Sequence, residues 1–326
     1  MLIISADDIR KTMTMKDAIE SNREAFAVQS RGEARLPVRV SFDVQGRGVS
    51  SFMPGYVSSL PLAGIKIVSV FGGNAEKNLP VVAASVLLLD PDTGLVSAII
   101  DGTEMTRLRT GAISGLATSL LANEDAALGA LFGVGGQAPS QLEGMLAARS
   151  LSVVRVFDAC RDRIASFIEN NAPLAERYGA KLVPAASSDE AVDGADVITT
   201  VTTAAEPVFD GRRLKEGAHV NGVGSYIPDR RELDSEVIRR ADVIFVDNMD
   251  AIMAEAGDIL IPIKEGVLKK DKIRGELGDL ILGRVKGRAS KGEITVMKTV
   301  GFATLDIVIA GNIYRKAKTL GIGTNL

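Results

Sequence analysis

The segment Gly133-Val134-Gly135-Gly136-Gln137-Ala138 decides the fold of the second half of the chain. It follows a short apolar segment, 128–132, and precedes a segment, 137–149, with apolar residues at helical spacing. A glycine-rich turn between a strand and a helix is the fingerprint of a dinucleotide-binding domain. The alternative is that these glycines form a plain turn.

Each small residue of this loop has a distinct task in such a domain. Gly133 makes the tight turn, Gly135 lets the backbone approach a pyrophosphate, and Ala138 permits close packing of the helix on the strand. The amino end of the helix, at Gly136 and Gln137, presents N–H groups and a partial positive charge to the phosphates. We therefore expect all five residues to bind the cofactor.

An acidic residue follows the next predicted strand, 153–157. Asp158 lies roughly 20 residues after the glycines, where the fingerprint has an acid that accepts hydrogen bonds from the adenosine ribose. An acid there repels a 2′-phosphate, so NAD is favoured over NADP. Arg161 could still turn toward a 2′-phosphate, so NADP is not excluded. The alternative role for Asp158 is to cap the helix that begins near Arg161.

The order of predicted elements differs between the two parts of the chain. After residue 128, strands at 128–132, 153–157, 197–201, 219–223 and 243–246 alternate with helices, which implies right-handed crossovers and a parallel sheet. Before it, a helix over 8–30 and strands over 39–53, 64–70, 84–89 and 95–100 indicate a largely antiparallel sheet. The fold class is therefore α/β, with a Rossmann domain beside an α+β domain.

The composition excludes several classes of protein. A chain of 326 residues with 46% hydrophobic residues can form two cores. Its net charge of -3, with no basic block, argues against nucleic acid or anionic lipid as partner. The longest apolar stretch, 81–89, is far shorter than the ~20 residues of a membrane span, and the amino terminus lacks a signal sequence, so a cytoplasmic location is expected.

The single cysteine, Cys160, and the single histidine, His219, exclude a disulfide framework and a metal site with several Cys or His ligands. We expect no metal. Proton chemistry then falls on Asp, Glu, Lys or Tyr. His219 begins an apolar strand and is interpreted as a structural histidine.

Three cations lie in or near apolar segments of the first part. Lys66 is flanked by Ile65 and Ile67, and an ammonium buried there without a partner costs several kcal/mol, so the position needs an anion. If Arg39 and Arg109 lie near it, the three cations can hold a substrate carboxylate, with arginine giving bidentate geometry. The alternative is that these side chains point outward into water.

Several motifs together resemble the ornithine cyclodeaminase and mu-crystallin family, in particular its archaeal-type alanine dehydrogenase and imine reductase branch. The resemblance runs nearly end to end and rests on Leu36-Pro37-Val38-Arg39, Met53-Pro54, Lys66, Asp101-Gly102-Thr103, Leu108-Arg109-Thr110-Gly111-Ala112, the glycine loop, 218–224 and Thr299-Val300-Gly301-Phe302-Ala303. It implies a substrate-binding and dimerisation domain over 1–121, completed by a terminal helix within 303–326. It also implies a Rossmann domain over 122–302 and a homodimer.

The resemblance also implies roles for individual residues. Arg39, Lys66 and Arg109 bind the substrate carboxylate, with Gly301 beside the substrate and Lys66 also placed among the catalytic residues. Asp229 is the acid/base, for which the alternative is a surface acid in a turn after Pro228. The cofactor is contacted by Arg109, Thr110, Thr202, Val223, Gly224 and Val300.

Three activities remain open from the sequence. A dehydrogenase or imine reductase moves hydride between the nicotinamide and the alpha carbon of a small amino or imino acid, whereas a cyclodeaminase returns the hydride and releases ammonia. Cyclodeaminases of the family have a glutamate where Ser51 stands, which favours the first activity. Arg35 or Arg47 could accommodate a second carboxylate. The third possibility is a non-catalytic binding protein, against which Lys66, Arg109 and Asp229 argue.

Overall fold

The computed structural model describes residues 1–37, 39–77 and 79–326. They divide into two compact units: a terminal unit, Met1–Arg109 with Phe302–Leu326, and a central unit, Thr110–Gly301. Helix α3 contains the boundary between Arg109 and Thr110, and the sequence analysis placed it at the end of the same helix. Within the described ranges, no helix is both long and apolar enough to cross a bilayer.

The terminal unit consists of one sheet and a small set of helices. Its strands are β1 (Leu2–Ile4), β2 (Ala34–Arg35), β3 (Val40–Asp43), β4 (Val49–Val57), β5 (Leu62–Val70), β6 (Val82–Leu89), β7 (Val96–Asp101) and, from the carboxyl end of the chain, β16 (Thr324–Asn325). Its helices are α1 (Ala6–Thr12), α2 (Met15–Ser30), the first part of α3 (Gly102–Leu121) and α11 (Ala303–Leu320), with a 3-10 helix at Gly72–Lys77.

The sheet order is β16-β1-β7-β6-β5-β4-β2, with β3 also paired to β4. Only β1 and β7 run parallel among these pairs, so the prediction of a largely antiparallel sheet is confirmed. Helix α11 packs on one face, where a Cβ on Gly55 or Gly64 would lie 3.1–3.2 Å from Ile307. Lys66 and Val86 point to this same face, because side chains alternate along a strand.

Two predicted elements of this unit are wrong. The helix expected over 8–30 is two helices, because Thr14 begins a new one: its side chain accepts a hydrogen bond from the Asp17 N–H, and Asp17 reciprocates. The strand expected over 39–53 is a hairpin of β3 and β4. Gln45 and Gly46 turn the chain there with left-handed φ angles of 54° and 69°.

The face of the sheet opposite α11 is largely apolar, and we call it the open face. On β3, Val40 is 62% exposed and Phe42 is 51% exposed, and Phe42 stacks on Phe52 with ring centroids 5.6 Å apart. Tyr56 is also exposed. Further half-buried apolar side chains alternate onto this face at Ile65, Ile67, Leu87 and Ile99.

The central unit is a parallel sheet with helices. Its strands are β8 (Leu128–Phe132), β9 (Val153–Phe157), β10 (Lys181–Pro184), β11 (Val197–Thr200), β12 (His219–Gly222), β13 (Val243–Val246), β14 (Ile273–Glu276) and β15 (Thr295–Lys298). Its helices are the rest of α3, α4 (Ala138–Ala148), α5 (Asp162–Arg177), α6 (Ser188–Val192), α7 (Ser235–Arg240), α8 (Met249–Glu255), α9 (Gly257–Lys264) and α10 (Leu277–Ile281), with 3-10 helices at Gly211–Arg213 and Lys270–Lys272.

The strand order of this sheet is β10-β9-β8-β11-β12-β15-β13-β14, and every adjacent pair is parallel. The predicted fold class, α/β with a Rossmann domain, is confirmed. The chain passes from β8 outward to β9 and β10 and then returns to β11 on the other side of β8. In such sheets ligands bind at this reversal, beyond the carboxyl ends of the strands.

Candidate active site

The glycine loop lies at this reversal, directly after β8. Gly133 has φ +100°, and a Cβ there would lie 2.7 Å from the Val201 carbonyl oxygen, so only glycine fits. At Gly135 and Gly136 an added Cβ would meet no described atom within 4 Å. Packing within the protein therefore does not require glycine at these two positions, which leave the backbone open to a ligand.

Helix α4 begins immediately after these glycines. Its N-cap residue, Gln137, makes no capping hydrogen bond through its side chain, and the backbone N–H of Ala138 donates to the Gly135 carbonyl at 3.0 Å. The N–H of Ala138 is thus already bonded and Pro139 has none, but no side chain of Gln137 caps the helix, so its positive end stays available to an anion. These features fit a dinucleotide pyrophosphate.

Asp158 lies at the carboxyl end of β9, beside the loop. One of its carboxylate oxygens accepts a hydrogen bond from the Val134 N–H at 2.9 Å, and the other accepts from the Cys160 N–H at 2.8 Å. The N-cap residue of α5 is Arg161, and no side-chain capping hydrogen bond is made there. The alternative role of Asp158 as a cap for this helix is wrong, and its contact with a ribose stays a prediction.

The loops that follow β11 and β12 are joined by one buried carboxylate. Glu232 accepts hydrogen bonds from the Thr202 N–H at 2.6 Å, the Gly224 N–H at 2.6 Å and the Thr200 hydroxyl at 3.0 Å. Thr202 and Gly224 are two of the positions expected to line a nicotinamide. Val223 lies beside them and donates its N–H to Thr200 at 3.0 Å.

A buried ion pair, Asp258 with Lys298, holds the backbone of Glu232. Asp258 accepts hydrogen bonds from the N–H groups of Glu232 and Leu233 at 2.7 and 2.9 Å, and its carboxylate lies 2.8 Å from the Lys298 ammonium. Lys298 also donates to the Ser225 carbonyl at 2.6 Å. Burial raises the pKa of Glu232, and the positive charge of Lys298 opposes that shift.

A second buried carboxylate holds the loop after β15. Asp247 accepts hydrogen bonds from the Thr299 hydroxyl at 2.6 Å, the Val300 N–H at 2.8 Å and the Gly301 N–H at 2.6 Å. Burial raises the pKa of Asp247, and these donors oppose that shift. Val300 and Gly301, both predicted site residues, thus have their backbone fixed by Asp247. Neither Glu232 nor Asp247 was predicted from the sequence as a site residue.

In the terminal unit, two of the three predicted cations share one acid. Lys66 is 2% exposed and Arg109 is 7% exposed. The Lys66 Nζ lies 2.5 Å from one carboxylate oxygen of Asp306, and the Arg109 Nε lies 2.9 Å from the other. The alternative that these two side chains point outward is wrong. The sequence analysis missed Asp306, although an acid between Leu305 and Ile307 is the same signal that drew attention to Lys66.

The cation cluster, defined here as Lys66 and Arg109 with Asp306, has two cations around one carboxylate. The pKa of Lys66 is lowered to about 8, mainly by burial; Asp306 opposes this shift, and the charges of Arg109 and Arg39 add to it. Arg39 therefore lies close enough to act on Lys66, although its own side chain is exposed. A cluster with excess positive charge can bind a further anion.

Other predicted residues lie elsewhere. Asp229 is exposed in the turn 227–230, where its acid/base role stays a prediction. His219 is fully buried and its ring contacts Thr295 at 2.9 Å and Asn221 at 3.1 Å. Burial lowers the pKa of His219 to about 3, so its interpretation as a structural histidine is confirmed. Thr110 is half-buried in α3.

Comparisons with known proteins cover the whole chain. The model of the ornithine cyclodeaminase/mu-crystallin family matches residues 1–320. A Delta(1)-pyrroline-2-carboxylate reductase of Bacillus cereus (strain ZK / E33L) is 34% identical over 327 residues, which are 100% of this chain and 99% of the relative.

Two solved structures share the fold. Thermococcus litoralis Delta(1)-pyrroline-2-carboxylate reductase, in complex with NADH and L-proline, has a TM-score of 0.94 and 38% identity, with 100% of both chains covered. An archaeal alanine dehydrogenase dimer with bound NAD has a TM-score of 0.90 and 29% identity, with 100% of this chain and 98% of the other covered. These relatives confirm the predicted class of enzyme, an oxidoreductase of amino or imino acids. The chain belongs to the ornithine cyclodeaminase/mu-crystallin family.

Proposed function

We propose that this chain is an NADH-dependent reductase of cyclic ketimine acids, with Delta(1)-pyrroline-2-carboxylate as substrate and proline as product. The observation that carries the proposal is the buried cation cluster, which has excess positive charge and suits a compact substrate with one carboxylate. Two relatives named above are reductases of this imine, and one of them binds NADH and L-proline.

NADH, when bound, supplies the hydride that the alpha carbon of the ring accepts. The task of the protein is to hold the imine so that this carbon faces the donor. Arg109 and Lys66 fix the ring carboxylate, and positioning of this kind contributes several kcal/mol to catalysis. Lys66, with a pKa lowered to about 8, carries its positive charge at neutral pH. We assign Asp229 as the acid/base that exchanges a proton with the ring nitrogen.

The cofactor residues in this proposal are the loop from Gly133 to Ala138, Asp158, and the backbone at Thr202, Val223, Gly224 and Val300, together with Arg109 and Thr110. Asp158 stands at the end of β9 with an acidic side chain, which disfavours the 2′-phosphate of NADPH. NADH is therefore the proposed cofactor.

Ser51 favours a reductase over a cyclodeaminase. It lies on β4, on the same face of the sheet as Met53, whose partner across the ladder is Lys66. Its hydroxyl hydrogen-bonds the Ser41 hydroxyl at 2.7 Å. A neutral pair of hydroxyls has no charge to hold the side-chain ammonium of ornithine, whereas the ring of a cyclic imine needs none.

We also propose a homodimer that buries the open face. Val40, Phe42 and Tyr56 are exposed there beside half-buried isoleucines and leucines of β5, β6 and β7. A contiguous apolar surface of this kind marks an interaction site. The archaeal alanine dehydrogenase of the same fold is a dimer.

The test is a spectrophotometric assay of NADH oxidation with a panel of substrates. The proposal expects rapid oxidation with Delta(1)-pyrroline-2-carboxylate, slower oxidation with pyruvate plus ammonium, and no ammonia release from ornithine with NAD. Lys66→Ala should raise KM and lower kcat together, because positioning is lost. Ammonia release from ornithine without net change in NAD would overturn the proposal in favour of a cyclodeaminase, and no turnover with any substrate would favour a binding protein.

A further inference from the structure

Glu232 connects two loops that are separate in sequence. Its Oε1 accepts from the Thr202 N–H, and its Oε2 accepts from the Gly224 N–H at 2.6 Å, from the Ser225 N–H at 3.2 Å and from the Thr200 hydroxyl. Both loops leave the carboxyl ends of adjacent parallel strands, β11 and β12. One side chain therefore fixes the separation of the two loops.

The loops also pack directly on each other. A Cβ added to Gly224 would lie 2.2 Å from the Thr202 carbonyl oxygen and 2.5 Å from its nitrogen. Any displacement of one loop must therefore move the other. Since Glu232 accepts from both, its carboxylate controls the shape of this part of the strand edge.

Only a carboxylate satisfies this arrangement. All four groups that face the Glu232 carboxylate are hydrogen-bond donors, and an ionised carboxylate supplies two acceptor oxygens and no donor. A glutamine in the same place would direct an NH₂ group at a backbone N–H, so one loop would lose its partner and be pushed away. Asp258 holds the backbone of Glu232, which keeps the carboxylate aimed at the loops.

We propose that Glu232 is a positioning residue of the cofactor site, which aligns the backbone at Thr202 and Gly224 so that the nicotinamide ring is held in the orientation for hydride transfer. It acts through these two loops and does not contact the substrate. This inference rests on the proposed function, because it takes the loops to line the nicotinamide.

The proposal predicts effects that loss of stability alone does not produce. Glu232→Gln removes the acceptor for one loop, so the dissociation constant of NADH should rise about tenfold or more, the loss expected for one buried charged hydrogen bond. At saturating NADH, kcat should also fall about tenfold, and the isotope effect with NADH deuterated at the transferred position of C4 should increase. Thr200→Val removes one donor of similar size and should shift the same quantities in the same direction, by about threefold.

Asp196 offers a matched control. It also accepts two backbone N–H bonds, from Ala127 at 2.9 Å and Leu128 at 2.8 Å, but these residues lie at the opposite, amino-terminal edge of the sheet. Asp196→Asn should lower the melting temperature and leave NADH affinity and the isotope effect unchanged.

The experiment measures NADH binding by fluorescence titration, steady-state kinetics and thermal unfolding of the full chain and its variants. Unchanged affinity and isotope effect in a folded Glu232→Gln protein would overturn the inference, as would equal effects of Asp196→Asn. If Glu232→Gln does not fold, unchanged NADH affinity in Thr200→Val overturns it. If the unmodified protein binds no NADH, the proposed function itself fails, a result distinct from a variant that matches the unmodified protein.

Discussion

Replacing Asp306 by asparagine removes the anion that Lys66 and Arg109 share. The two carboxylate oxygens lie 2.5 Å from the Lys66 Nζ and 2.9 Å from the Arg109 Nε, and the Asp306 side chain is fully buried. Asparagine keeps the shape of the side chain but not its charge, so two buried cations are left without a counter-ion. We expect a large loss of stability.

The magnitude follows from the way in which each cation can respond. Breaking a buried ion pair by removing one partner costs about 3–5 kcal/mol. Lys66 has a pKa of about 8, and loss of Asp306 lowers it further, so it can release its proton near neutral pH and avoid part of this cost. Arg109 cannot be deprotonated. The expected loss is therefore set mainly by Arg109, about 3 kcal/mol.

Urea unfolding at pH 7, followed by circular dichroism, measures this loss, and Lys316→Met is the matched control. Lys316 on α11 and Asp17 on α2 form another ion pair of this unit, 2.8 Å apart, but their side chains are 41% and 38% exposed. Exposed pairs contribute about 0–1 kcal/mol, so the control should change little. A loss below about 1 kcal/mol for Asp306→Asn, equal to that of the control, would refute the claim that the cluster is a dry, mutually dependent set of charges.

Three further predictions concern activity, cofactor choice and assembly. Because the pKa of Lys66 is lowered to about 8, its charge is present below that pH and lost above it, so kcat/KM for the imine should fall as the pH rises through about 8. Lys66→Arg does not titrate in this range, so its pH profile should lack this decrease. If the decrease persists in Lys66→Arg, it arises from another group. Asp158→Ser should lower kcat/KM for NADH and raise kcat/KM for NADPH, and an unchanged ratio of the two values would mean that Asp158 does not face the ribose. If the proposed dimer buries the open face, Phe42→Lys should give a monomer in size-exclusion chromatography with light scattering, whereas Leu95→Lys, at a 70% exposed site in the turn before β7, should not. A dimer in both variants would place the interface elsewhere, and a monomeric unmodified protein would refute the dimer itself.

The sequence predicted the part of the fold that depends on local pattern. The strand bounds 128–132, 153–157 and 243–246 agree with the structure, because each is a short apolar run, and the terminal helix expected within 303–326 is α11. In the central unit, the strands β10, β14 and β15 were missed. Thr295-Val296-Met297-Lys298 has polar ends, and its central place between β12 and β13 depends on burying Thr295 and Lys298 against residues far along the chain.

The candidate site was predictable to the extent that its residues form local motifs. The glycine loop has a recognisable spacing, and Lys66 is conspicuous because its neighbours are apolar. Glu232 and Asp247 have no such signature, whereas Asp306 has apolar neighbours as Lys66 does and was still missed. Asp306 and Lys66 are 240 residues apart in sequence, and Asp247 and Val300 are 53 apart, so only the folded chain reveals these partners.

The buried acids have different partners in the two units, so their substitution should have different effects on the enzyme. In the central unit, the carboxylate oxygens of Glu232 and Asp247 accept hydrogen bonds mainly from backbone N–H groups. These hydrogen bonds offset the free-energy cost of burying the carboxylates and fix the shape of the loops. In the terminal unit, Asp306 accepts hydrogen bonds from the side chains of Lys66 and Arg109. Substitution of the first two should therefore act on cofactor affinity at any substrate concentration, whereas substitution of Asp306 should act on substrate affinity at saturating cofactor.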